Sequence, residues 1–146
     1  MFLVAAQSNK HVAMSSARIA ANAAAALSMG FLYGYFDFHI QAATDYRFMG
    51  SLFPWVAMFL MFILPNALEH YSRVPIGLAN AALGLSTEDL AYWFWARQLP
   101  ASWAPFYPVW HGVPLDDAAG ILIAALLYRW GEGYRAGWEA RNGVGR

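Results

Sequence analysis

Residues Ile76–Arg97 read IGLANAALGLSTEDLAYWFWAR, a mostly apolar stretch about as long as the roughly 20 residues a helix needs to cross a bilayer. Glu88 and Asp89 interrupt it near the middle, where a charge in hydrocarbon is costly unless paired, solvated or neutralised. Gly77, Ala81, Gly84 and Glu88 recur at helical spacing. Glu88 therefore shares a face with the smallest side chains, the face on which a neighbouring helix approaches most closely in a membrane. The pattern predicts a helix packed among other helices, with Glu88 turned towards them rather than towards lipid. Gly84-Leu85-Ser86 followed by Asp89 is also a candidate break, with Ser86 as N-cap and Asp89 at the capping-box position.

The composition around this stretch supports the same class. Of 146 residues, 60% are hydrophobic and 12% charged, against about 25% charged in ordinary soluble domains. Seven Trp, eight Tyr and ten Phe suit a chain whose aromatic rings sit at membrane interfaces. Lys and Arg balance Asp and Glu at zero net charge, with no basic patch, which argues against nucleic acid as a partner. The absence of cysteine excludes disulfides, thiolate metal sites and cysteine nucleophiles. Met1–Ala6 is too short an apolar run for a secretory signal, so the first helix is expected to direct insertion.

The expected fold is all-α, a polytopic membrane protein of four transmembrane helices in an antiparallel bundle. Residues 1–17 form a lead-in containing Lys10 and His11; the helices cover 18–40, 49–68, 76–97 and 114–130, and 131–146 form a cytoplasmic helical tail. The first helix carries the GxxxG step Gly30/Gly34, and Asp37 continues that face. His39 points about 200° away from Asp37 while the helix persists. Pro54 suits a first turn, and Pro65 is expected to kink or end the second helix. Between helices three and four, Pro100, Pro105, Pro108 and Pro114 alternate with Trp103, Phe106, Tyr107 and Trp110, a segment too apolar for a solvated linker and too proline-rich for a helix. It is expected to lie on the bundle as an aromatic cap holding His111.

Orientation follows from the basic residues. Lys10, Arg18, Arg73, Arg129, Arg135, Arg141 and Arg146 fall on the side of the termini and the second connection, whereas Arg47 and Arg97 fall on the other. The positive-inside rule then places both termini in the cytoplasm, with the chain in the cell's inner or plasma membrane.

Depth sorts the polar residues. Asp37, His39, Asp45, His111, Asp116 and Asp117 fall at the outer end, Asn66, Glu69, His70 and Arg73 at the inner end, with Glu88 and Asp89 between. Carboxylate and imidazole together suit a divalent cation such as zinc, iron, copper or manganese. Asp37, His39, His111 and Asp117 are the expected ligands, and Glu88 and Asp89 the expected acid/base or supporting groups. Asp116 and Asp117 would equally complement a helix dipole, worth about 0.3–1 kcal/mol, and His39 and His111 would serve as interfacial hydrogen-bonding residues. Glu69 and Arg73 read as an i,i+4 pair, and His70 as a contact to C-terminal carbonyls.

Two functions are consistent with these features. One is a metal-bearing membrane protein acting on a lipid-like or small hydrophobic substrate. The other is a non-catalytic accessory subunit, assembling as a homo-oligomer or with a larger membrane protein through its Gly/Ala faces. A third use of Glu88, as a proton or ion relay, follows from its depth alone.

Overall fold

The chain is mostly helical, and the long helices arise where the sequence offers runs of Ala, Leu and aromatic residues unbroken by proline. The computed structural model describes residues 2–45, 47, 51–70, 74–102, 105 and 107–142, with side chains described from 17 to 131 within those ranges. Arg73, Trp103, Phe106 and residues 143–146 lie outside them, as do the side chains of Lys10, His11, Arg135, Glu139 and Arg141.

Helix α1 spans Phe2–Ala43, so the lead-in and the first expected span are one helix with no junction at Arg18. Helix α2 covers Phe53–Glu69 and begins with Pro54 in its first turn. The expected kink at Pro65 takes the form of a π turn, Phe59–Ile63, in which the Leu64 N–H bonds the Phe59 carbonyl. Pro65 has no N–H to offer the preceding turn, and the wider turn before it lets the helix resume from Leu64 to Glu69. Helix α3 (Val74–Ala96) is continuous, and α4 runs from Leu115 to Asn142 with Asp116 and Asp117 in its first turn.

The break expected at Gly84–Ser86 is absent because those residues are used for packing. Gly84 lies against the Phe62 ring, and Ser86 is buried where α4 presents Gly120. Helix α3 ends instead in a Schellman motif: the Arg97 N–H bonds Phe94 O, the Gln98 N–H bonds Trp93 O, and Arg97 adopts φ +55°. The proline-rich connection contains a feature its composition did not announce, a two-residue antiparallel ladder pairing Val109 with Pro114 and Trp110 with Val113. His111 and Gly112, at φ +49° and +78°, make the tight turn between them.

Helix α3 is the hub, contacting α1, α2 and α4. Alongside it α1 runs parallel: Gly30 meets Gly84 and Thr87, Gly34 meets Glu88 and Ala91, and Tyr35 meets Trp95. Both other helices run antiparallel to it, with Phe62 opposite Gly84 and Asn66 opposite Gly77 on α2, and Gly120 opposite Ser86 and Gly131 opposite Ile76 on α4. The Gly30/Gly34 face is thus occupied by α3 within the chain, which corrects its assignment as a docking face for a partner.

The packing is inverted relative to a water-soluble helical domain. The core cluster is Ala26, Ala79, Leu83 and Ala124, whereas Leu122, Leu126 and Trp130 are 61%, 59% and 60% exposed along one face of α4. Apart from Phe62 and Tyr107, which are fully buried, the inside is mostly small and polar residues, and many large apolar ones lie outside. By length and mean hydropathy, one described stretch, Ala17–Ala43, is long and apolar enough to cross a membrane; Phe53–Glu69 is apolar but shorter. The four spans expected from the sequence therefore do not all meet that criterion. Glu88 and Asp89 in α3, and Asp116 and Asp117 in α4, lower the hydropathy of helices whose outer faces remain apolar.

Candidate functional site

Glu88 is 4% exposed, held at the α1–α3 contact by the residues that let the two backbones approach. A Cβ added at Gly34 would lie 2.8 Å from the Ala91 Cβ and 2.9 Å from the Tyr92 nitrogen. The glycine is needed there for the approach itself. Three residues along α1, Asp37 follows on the same face, and four further on comes Gln41, which is fully buried and donates from Nε2 to Asp37 Oδ1 at 3.2 Å. Asp37, Gln41, Glu88 and Asp89 line a cleft of about 90 Å³ together with Tyr33 and Trp55. Among the described residues, the charged groups acting on Glu88 are Asp89, Asp37 and Asp117, all of them acids.

A second set of contacts joins this cluster to the cap. The Asp89 and Asp117 carboxyl groups lie within hydrogen-bonding reach of each other across the α3–α4 interface. Tyr107, 2% exposed, donates its hydroxyl to Asp117 Oδ2 at 3.1 Å and accepts from Trp93 Nε1 at 3.1 Å. Burial, reinforced by the Asp89 and Asp117 charges, pushes the Tyr107 phenol above its ordinary range, so it remains a donor. Leu115 N bonding Pro108 O at 2.9 Å fixes the connection where it enters α4. Tyr107 thereby anchors the cap onto the acidic end of the helices.

The structure separates the four residues expected to hold a metal. Because α1 continues through Ala43, Asp37 faces the cleft while His39 is exposed, its ring 4.3 Å from Tyr35 and 5.2 Å from Phe38 between centroids. His111 is exposed at the tip of the hairpin, its ring 4.8 Å from Trp110. Asp117 is buried under Tyr107. Asp37, His39, His111 and Asp117 therefore do not form one ligand set, and among the described residues no group of three or more His, Cys, Asp or Glu is placed to hold a metal ion. What lines one cleft instead is Asp37 with Glu88 and Asp89, while Asp117 lies on the cap side with Asp89 and Tyr107.

Several members of this arrangement escaped the sequence reading. Gln41 extends the spacing Ala26, Gly30, Gly34, Asp37 by one more turn, a signal that was present. Tyr107 sits in an aperiodic segment that gives no directional signal. At the opposite end of the helices, Asn80 binds three elements together. It donates from Nδ2 to Asn66 Oδ1 at 3.0 Å, lies 3.1 Å from His70 Nε2, and accepts from the Tyr128 hydroxyl. His70, expected at helix carbonyls, instead makes this side-chain contact.

No family model matches the chain, and no solved structure matches it. It is similar to a protein of Acidianus filamentous virus 2 (isolate Italy/Pozzuoli) named "Putative transmembrane protein ORF202", with 27% identity over 120 residues. The match takes in 79% of this chain and 54% of the viral protein, so the chain spans about half the length of that relative.

Proposed function

We propose that the chain is a small integral membrane protein of four spans, with both termini on the cytoplasmic side, that holds a cation in an acidic site at the outer end of its helices. One observation carries this reading: Asp37, Glu88, Asp89 and Asp117 turn inward from three helices at one end, while Leu122, Leu126, Trp130 and Phe94 face outward. A carboxyl directed at protein escapes most of the cost it would meet in lipid. Helices α3 and α4 can thus cross hydrocarbon despite their charges. The one-sided distribution of Lys and Arg sets the orientation, and the similarity to a viral protein whose name includes "transmembrane" supports the localisation. A site rich in acceptors, with no base beside it among the described residues, suits a cation, with Glu88 and Asp89 as its central groups.

The chain contains no cysteine, so single-cysteine variants report topology directly. Thr44→Cys and Ser102→Cys should react with an impermeant maleimide on intact cells, and Asn142→Cys only after permeabilisation. The reverse pattern would overturn the orientation. Detergent-purified protein should retain an inorganic or organic cation, and Glu88→Gln and Asp37→Asn should each lower that retention at least tenfold. Equal retention in wild type and both variants would remove the site.

A further inference from the structure

The cleft between α1, α2 and α3 is neither uniformly polar nor uniformly acidic. Asp37, Glu88, Asp89 and Gln41 occupy one part of its wall; Tyr33, Trp55, Pro54 and Met58 make up the rest. Gln41 is 1% exposed, and although its Nε2 donates to Asp37, its Oε1 has no hydrogen-bond partner among the described residues. A buried carbonyl oxygen left without a donor destabilises a fold unless something supplies one. An N–H donor entering the cleft would satisfy it, and the Asp37, Glu88 and Asp89 carboxyl groups in the same wall favour one that also carries positive charge.

We propose that this cleft binds a small organic ammonium ion, a protonated amine or alkylammonium, with its N–H groups donated to Gln41 Oε1 and the Asp37 and Glu88 carboxylates and its carbon atoms against Trp55, Pro54 and Met58. The inference rests on the cation site proposed above and names its ligand class. Two features favour an organic cation over a metal ion. A divalent ion such as calcium or magnesium takes six or more oxygen ligands, whereas among the described residues no three-residue metal-ligating group exists and half of this wall is aromatic or apolar. An ammonium ion, by contrast, gains from aromatic faces as well as from carboxylates. The volume, about 90 Å³, exceeds the roughly 10–15 Å³ that a single water needs and suits an ion of a few heavy atoms.

Equilibrium dialysis of the full chain in detergent against radiolabelled methylammonium, in parallel with labelled sodium and manganese, tests this. Saturable methylammonium binding near one per chain is expected, undiminished by a hundredfold excess of sodium and weakened at least tenfold by Glu88→Gln and by Gln41→Leu. Asp37→Asn and Trp55→Leu, at half-buried and exposed positions, provide the same readout should Gln41→Leu fail to fold as judged by circular dichroism. Binding of sodium or manganese that depends on Glu88, with no methylammonium bound, would overturn the ammonium assignment and leave the cation site standing. Binding of none of the three ions to folded protein would overturn both.

Discussion

Asp89 on α3 and Asp117 on α4 bring their carboxyl groups within hydrogen-bonding reach of each other, and Tyr107 from the intervening cap closes over Asp117 with its hydroxyl 3.1 Å from Oδ2. The same hydroxyl accepts from Trp93 Nε1 at 3.1 Å, so the cap, the end of α3 and the start of α4 are joined through Tyr107, next to the cleft that holds Asp37 and Glu88.

That contact makes a graded prediction. Asp117→Asn keeps an amide able to donate to Asp89 and to accept from Tyr107, and should cost less than about 1 kcal/mol. Asp117→Ala removes the acceptor of the buried Tyr107 hydroxyl and should cost about 1–3 kcal/mol. Unfolding in mixed sodium dodecyl sulfate and dodecyl maltoside micelles, followed by circular dichroism, measures both. Equal losses would mean that the carboxyl packs without bonding.

Gly34 sets the distance between α1 and α3. Because a Cβ added at Gly34 would lie 2.8 Å from the Ala91 Cβ, Gly34→Leu should cost about 1–3 kcal/mol or prevent α1 from docking. A lower unfolding midpoint, or a broadened elution profile, is the expected outcome. An unchanged monomer that loses only a copurifying partner would return this face to an intermolecular role.

At the other end, Asn80 ties α2, α3 and α4 together through Asn66, His70 and Tyr128. Interhelical hydrogen bonds in membranes are individually modest, averaging about 0.6 kcal/mol and reaching about 1.7. Asn80→Ala should therefore cost roughly 1–2 kcal/mol. A double-mutant cycle with Tyr128→Phe should give a coupling of at least about 0.5 kcal/mol. Strict additivity would show that the two side chains do not depend on each other.

The two outer histidines should be dispensable for cation retention. His39→Ala, on an exposed face of α1, and His111→Asn should each leave retention within twofold of wild type. For stability the turn makes a further distinction. His111 holds φ +49°, a conformation asparagine adopts readily before glycine, whereas isoleucine should cost roughly 1 kcal/mol there. Loss of a bound ion in His39→Ala would reinstate histidine as a ligand.

The sequence by itself determined the helical class, the central place of Ile76–Arg97, the inward face of Glu88 and the close approach at Gly30 and Gly34. Each depends on the spacing of residues along one helix, and that periodicity is written locally. The tertiary structure alone decided which helix fills which face. It turned the GxxxG step inward onto α3, kept α3 whole through Gly84 and Ser86, and carried α2 past Pro65 by a π turn. It also dispersed the expected Asp37, His39, His111 and Asp117 set and brought Asp37 to one cleft with Gln41, Glu88 and Asp89 instead. The reason is geometric. A ligand set depends on the rotation and register of several helices relative to one another, and on where an aperiodic cap such as the one bearing Tyr107 and His111 comes to rest. Those quantities arise from contacts between segments far apart in the chain, where residue spacing carries no information.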